Sequence, residues 1–170
     1  MTPFWHGRLM AICTSIKSSL QAYGDTPLST PSVPATPPVK LSAEERKLLI
    51  DAARQMLDRA YAPYSKFHVG CAVLTEAGNV YPGCNVENVS YGITICAERS
   101  AISAAVAAEG PKMKLRAVAV LNSTNLPCSP CGACRQVIYE FGPKALVIYQ
   151  GEGKLAEATA EQLLPAGFHF

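Results

Sequence analysis

From residue 40 onward the chain switches between two apolar periods. Leu49, Ala53, Met56, Leu57 and Ala60 recur at helical intervals and make one face. Ser42 with Glu45 three residues on is a capping box, so the spacing predicts a helix over residues 42–61. Residues 67–75 and 79–85 read as two strands joined through Glu76-Ala77-Gly78, a hairpin. A second helix is expected over 95–108, with Thr94 as its N-cap and Gly110 as its stop. The run Ala117-Val118-Ala119-Val120-Leu121 is apolar on both faces, the pattern of a central strand covered by helices. A third helix begins near Pro130, where Ser129 can cap and Pro suits the first helical position, and ends by Gly142; residues 145–149 form another buried strand, and a short helix follows at 160–164. Helices and strands alternate in the second half, which makes the class α/β with a mixed sheet sandwiched between helices.

The first forty residues follow neither period. Pro27, Pro31, Pro34, Pro37 and Pro38 fall in a Ser/Thr-rich run, the composition of an extended linker. Upstream, residues 4–23 form at most a weak helix. A mitochondrial presequence there is the alternative to a dispensable tail, but such segments are normally richer in Arg. The expected division is therefore an N-terminal extension over 1–40 and one domain over 41–170, an ordinary size for a domain.

Charge narrows the partners. Residues 1–40 carry Arg8, Lys17 and Lys40 against Asp25, the whole formal surplus of +2. Residues 41–170 hold 12 Lys/Arg and 12 Asp/Glu, whereas a groove for nucleic acid wants clustered surplus cations. The apolar stretches are interrupted well before the ~18 residues of a membrane span. Neither a nucleic acid nor a membrane is expected as a partner.

The chain has seven cysteines, Cys13, Cys71, Cys84, Cys96, Cys128, Cys131 and Cys134. The odd count, and residues 1–20 broken by Arg8 and Lys17, fit reduced thiols in a cytoplasmic protein better than a secreted disulfide framework. Cys96 sits at the start of the second predicted helix. Cys131 and Cys134 sit one turn apart on one face at the start of the third. Free amides and the helix dipole favour a thiolate there, the form a metal needs. Two such helix starts aimed at one zinc would supply three sulfurs at about 2.3 Å and leave a fourth position open.

Glu98, two residues after Cys96, turns binding into chemistry. A carboxylate beside a metal-activated water can take and return protons, which suits hydrolytic removal of an amine from an amidine-like carbon. This is the pattern of zinc nucleobase deaminases, three Cys (or His and two Cys) with a non-ligand Glu. Spacing alone leaves other readings open. A CxxC also serves redox pairs and zinc ribbons, and a closed zinc on Cys96, Cys128, Cys131 and Cys134 would be structural. An iron–sulfur run is disfavoured, because position 138 is Ile where that motif needs Cys. Arg99 is expected near the thiolates, offsetting the charge by which three thiolates outweigh the ion. His6, His68 and His169 show no metal spacing.

At Cys96-Ala97-Glu98-Arg99 and Ser129-Pro130-Cys131-Gly132-Ala133-Cys134-Arg135-Gln136 the chain resembles the cytidine deaminases, most of all the small homotetrameric type whose zinc is held by three cysteines. The resemblance spans residues 41–170. It includes Pro63-Tyr64-Ser65-Lys66-Phe67-His68-Val69-Gly70, Gly83-Cys84-Asn85-Val86-Glu87-Asn88 and Leu163-Leu164-Pro165-Ala166-Gly167-Phe168. It implies a three-layer α/β/α sandwich with a mixed sheet of about five strands. The implied activity is hydrolysis of cytidine and 2′-deoxycytidine to the uridine nucleosides and ammonia. By the same resemblance, Cys96, Cys131 and Cys134 hold one Zn²⁺ per subunit and Glu98 is the proton shuttle, also bonding N3 of the base. The Ala97 backbone meets the base carbonyl, Asn85 and Glu87 hold the ribose 3′-hydroxyl, and Phe67 packs near the base. Phe168 reaches into a neighbouring subunit of a homotetramer. Cys128 lies outside the pattern and is expected not to be a ligand. Two rivals remain, a blasticidin-type deaminase, disfavoured by Asn85-x-Glu87-Asn88, and a non-catalytic zinc-stabilised binding domain.

Overall fold

The computed structural model describes residues 39–124 and 126–168. The expected extension over 1–40, with its helix at 4–23, lies outside the described residues apart from Val39 and Lys40, as does His169.

Helix α1 (Ala43–Gln55) opens on the predicted capping box: Glu45 N donates to Ser42 Oγ at 3.1 Å and Ser42 N donates to Glu45 Oε2 at 2.9 Å. Leu49 and Ala53 are fully buried beneath it. The helix stops at Gln55, six residues short of the expected end, and one 3-10 turn (Leu57–Arg59) follows. The cause is tertiary. Tyr61 N donates to Asn85 O at 3.0 Å and Glu87 N donates to Tyr61 O at 2.8 Å, so residue 61 is claimed as an extended partner of Val86. A helix cannot continue through a residue whose amide and carbonyl face another segment.

Five strands form one sheet in the order β2-β1-β3-β4-β5: β1 (Val69–Thr75), β2 (Val80–Cys84), β3 (Leu115–Asn122), β4 (Leu146–Gln150) and β5 (Leu155–Thr159). Only the β3–β4 pair is parallel, bridged by a helical crossover as such pairs require. The predicted hairpin is present, with Gly78 at φ +86° in the turn, where a side chain would be strained. The fifth strand was not among those read from the pattern. Leu155-Ala156-Glu157-Ala158-Thr159 is short, rich in poor strand formers and at the sheet edge, so pairing with β4 creates it.

Alternation along the strands sorts the core into two halves. Ala72, Leu74, Ala117, Ala119, Leu121 and Ile148 face α1, while Cys71, Val73, Val118, Val120 and Val147 face α2 (Ala97–Glu109) and α3 (Gly132–Phe141). A last short helix, α4 (Ala160–Leu163), closes the chain. Helices on both faces of a mixed sheet make the three-layer arrangement. Among the described residues, no helix is long and apolar enough to cross a membrane.

The helix that matters for function lies unusually close to the sheet. Ala97, Ala101 and Ala105 make a stripe of small residues at four-residue spacing, all fully buried. Opposite them, a Cβ on Gly83 would sit 2.4 Å from Ala101 N and 2.7 Å from Ala97 O. Gly83→Ala must therefore push α2 off β2, and the expected loss is about 3 kcal/mol of stability in urea unfolding. Gly92→Ala, where an added Cβ meets nothing within 4 Å, is the control and should stay within about 0.5 kcal/mol of the parent.

Candidate metal centre

Two short β-bridges deliver the cysteines. Val86 and Ile95 exchange backbone bonds of 2.9 and 3.0 Å, which holds the chain just ahead of Cys96. Cys128 N donates to Gln150 O at 2.8 Å, which holds the loop ahead of Cys131 against the end of β4. Arg135 then clamps that loop: Nε donates to Pro130 O at 2.7 Å, Nη2 to Ser129 Oγ at 3.0 Å and Nη1 to Leu163 O at 3.1 Å.

Both helix starts lie two residues later than expected. Cys96, not Thr94, is the N-cap of α2, and Cys131, not Ser129, is the N-cap of α3. Thr94 is occupied elsewhere, its hydroxyl accepting from Asn88 N at 3.2 Å and its carbonyl from Arg99. Neither cysteine makes a side-chain capping bond, so each thiol is available beside a helix start. Cys134 follows in the first turn of α3, fully buried.

The three sulfurs lie within 4.8 Å of one another, with Cys96 Sγ 4.0 Å from Cys131 Sγ. Sulfurs on a tetrahedral zinc at about 2.3 Å are separated by roughly 3.8 Å, so the cluster already has the right size. Cys128 stands outside this group, half-buried, its thiol pushed up by burial. The four-cysteine reading thus lacks its fourth donor, and Cys128→Ser should keep metal content and turnover near those of the parent. Loss of both, measured by elemental analysis and rate, would restore that reading. His68 is structural: its Nδ1–H donates to Leu57 O at 3.1 Å.

Charge in the cluster is organised around Cys96. A hydrogen bond from Cys134, reinforced by Arg99 and Cys131, holds the Cys96 thiol down to about 5, so it is a thiolate at neutral pH. The same bond, with burial, pushes the Cys134 thiol upward. Arg99 Nη2 donates to Thr94 O at 2.8 Å and lies 3.8 Å from Cys96 Sγ, where it was expected. Its Nε is buried without a hydrogen-bond partner. Glu98, in the first turn of α2 and 4% exposed, has its carboxyl raised by burial first and by the Cys96 thiolate among the rest. Three converging sulfurs, the Cys96 thiol favoured as thiolate, beside the Arg99 guanidinium and the raised Glu98 carboxyl fit a zinc-type ion.

Of the other expected site residues, Asn85 and Glu87 flank Val86, the partner of Ile95 just ahead of Cys96. Asn85 is 8% exposed, and its amide bonds inward: Oδ1 accepts from Val69 N at 2.8 Å and Nδ2 donates to Phe67 O at 2.9 Å. One N–H and one lone pair remain for a ligand. Glu87 accepts from Tyr64 N at 2.9 Å, from Ser65 N at 3.2 Å and from Ser65 Oγ, and the hydroxyl bond leads the causes that hold its carboxyl below the usual range. Glu87 lines a cavity of about 430 Å³ with Tyr64, Ser65, Tyr91 and Thr94. These four were not singled out as site residues, although Tyr64 and Ser65 lie in a quoted motif. Phe67 is half-buried, Ala97 is the first residue of α2, and Phe168 is 63% exposed with its backbone held by Gln136.

Residues 43–150 match the profile of the cytidine and deoxycytidylate deaminase zinc-binding region. The chain belongs to this deaminase family. The deaminase resembles the cytidine deaminase of Halalkalibacterium halodurans, 45% identical over 126 residues that cover 73% of this chain and 94% of that protein. It also resembles the blasticidin-S deaminase of Bacillus cereus, 32% identical over 124 residues, 69% of this chain and 87% of that one. The crystal structure of cytidine deaminase from Burkholderia pseudomallei superposes with a TM-score of 0.66 at 44% identity, covering 75% of this chain and 100% of that chain. The family and the α/β/α fold expected from the sequence are borne out, and the protein is an enzyme, a zinc-binding deaminase with a cysteine triad able to hold the ion.

Proposed function

We propose that this deaminase hydrolyses cytidine and 2′-deoxycytidine to uridine and 2′-deoxyuridine with release of ammonia, a pyrimidine salvage step. The observation that carries the reading is Glu98, buried in the first turn of α2 beside the three-sulfur cluster. Cys96, Cys131 and Cys134 hold one zinc per subunit. Zinc held there supplies Lewis acidity and makes water nucleophilic near neutral pH. Glu98, raised by burial, would carry one proton from that water to N3 of the base and the second, from the new C4 hydroxyl, to the departing amine, so that ammonia leaves and the C4 carbonyl of the uridine forms. Arg99 offsets the surplus thiolate charge.

The remaining residues bind and orient. Ala97 presents a backbone amide of the helix start to the base carbonyl. Phe67 forms an aromatic wall for the base, and Glu87 with the open valences of Asn85 takes the ribose 3′-hydroxyl. A neutral nucleoside agrees with the equal charge count over 41–170. Phe168, exposed and held through its backbone by Gln136 of α3, reaches a neighbouring subunit's site in a homotetramer. The enzyme works in the cytoplasm, and residues 1–40 are an extension to the catalytic domain.

The similarity to a blasticidin-S deaminase supplies the competing substrate, at lower identity than the cytidine deaminase shows. An absorbance assay offering cytidine and blasticidin S separately decides between them. Rapid loss of cytidine with little loss of blasticidin S is the expected result; the reverse would reassign the substrate. Loss of neither would favour a non-catalytic domain.

A further inference from the structure

We infer that Ser65 is a positioning residue of this site: its single hydroxyl ties the Glu87 carboxylate to the Phe67 backbone, so the grip on the sugar and the wall for the base are set as one unit. The inference rests on the reading of Glu87 and Phe67 given above. Its geometry is independent of that reading.

Residues 61–69 wrap around the strand edge at 85–87. Tyr61 pairs with both flanks of Val86, Tyr64 N and Ser65 N donate to Glu87, and Asn85 bonds Phe67 O and Val69 N. Within this wrap lies Lys66 at φ +59°, the one non-glycine residue in the left-handed region among those described. That conformation is disfavoured for a side chain with a Cβ and persists where its surroundings over-determine it. Lys66 N donates to Ala62 O at 3.1 Å, and the residues on either side are Ser65 and Phe67.

A serine hydroxyl offers one donor and two lone pairs. Here the donor goes to Glu87 Oε1 and a lone pair accepts from Phe67 N at 3.0 Å. Phe67 is thus held on both sides of its backbone, at N by Ser65 and at O by Asn85. Without the hydroxyl, Glu87 Oε2 keeps its two backbone donors but Oε1 is freed, and Phe67 N–H loses its acceptor. The carboxylate stays nearby and can turn. A Ser65→Ala enzyme should therefore bind poorly those nucleosides that use Glu87, and less poorly those that do not.

The test uses the zinc-loaded full chain as parent, Ser65→Ala and Ser65→Thr, with cytidine and 3′-deoxycytidine as substrates. Ser65→Ala is expected to raise KM for cytidine about tenfold, the size of one hydrogen bond to a charged group, with kcat changed less than about threefold. KM for 3′-deoxycytidine should rise less than about threefold, and Ser65→Thr should restore the parent values for both. An equal rise for both substrates, or no rise, overturns the proposal and leaves Ser65 a general support of the loop. Amide hydrogen exchange supplies a readout free of the assigned substrate: exchange at Phe67 should speed up in Ser65→Ala and return in Ser65→Thr. Unchanged exchange overturns the clasp whatever the enzyme acts on. A parent inactive toward cytidine with faster exchange in the variant would instead refute only the substrate assignment.

Discussion

Glu98→Ala should lower turnover of cytidine about 10³-fold while the protein keeps its zinc and still binds nucleoside, an effect within the range for removing a positioned acid–base group. The side chain is buried and interacts with Cys134 and Cys96 but is not one of the sulfur donors, so its loss removes proton transfer and not metal binding. Glu98→Gln sharpens the point, because it preserves shape and cannot carry a proton. Both variants should be slow. Steady-state rates and elemental analysis on the same samples check this, and a Glu98→Ala enzyme with normal turnover would refute the mechanism. A variant that has lost zinc along with activity would make Glu98 a support of the cluster.

Stripping the metal with a chelator should abolish activity, and added zinc should return it. The pH behaviour of the stripped protein is the more specific expectation. Cys96 is held down to about 5 against an ordinary thiol value of 9.0, by Cys134 first and then by Arg99 and Cys131. Its unfolded counterpart stays protonated between those values while the folded residue does not, so this group makes folding stability rise with pH across that window. Thiolate is also the reactive form. Iodoacetamide should therefore label Cys96 readily at pH 7, with the labelling rate at half its plateau near pH 5. Cys134, buried and pushed the other way, should resist. Peptide mass spectrometry across pH reads both, and a midpoint at the ordinary thiol value would show that the cluster does not organise charge in this way.

The candidate centre was legible because its determinants are local. Cys131 and Cys134 are one turn apart, and Ser129-Pro130 just ahead of them marks a nearby helix start from local sequence alone. Both caps lie two residues beyond Thr94 and Ser129 because the fold uses those good capping residues otherwise, Thr94 for Asn88 and Ser129 for Arg135. The end of α1 was misread for a similar reason: the periodic face through Ala60 is real, but pairing of Tyr61 with the 85–87 edge overrides it. Strand β5 had no local signal to read, since Ala and Glu form strands only when a partner supplies the hydrogen bonds.

By itself, then, the order of residues determined the candidate donors Cys96, Cys128, Cys131 and Cys134, Glu98 as the candidate acid, the capped helix at Ser42 and the class of the fold. These are short-range properties, set by spacing along a helix and by the period of apolar side chains. Only the tertiary structure decided that Cys128 stands apart from the cluster, that the Cys96 thiol is pulled down while the Cys134 thiol is pushed up, and that Asn85 turns half of its amide toward Phe67 and Val69. Those outcomes depend on contacts between residues 16 to 38 positions apart in the chain. Hydrogen bonding and charge respond to distances of a few ångströms, and over such separations the packing of α2 and α3 against one sheet sets those distances.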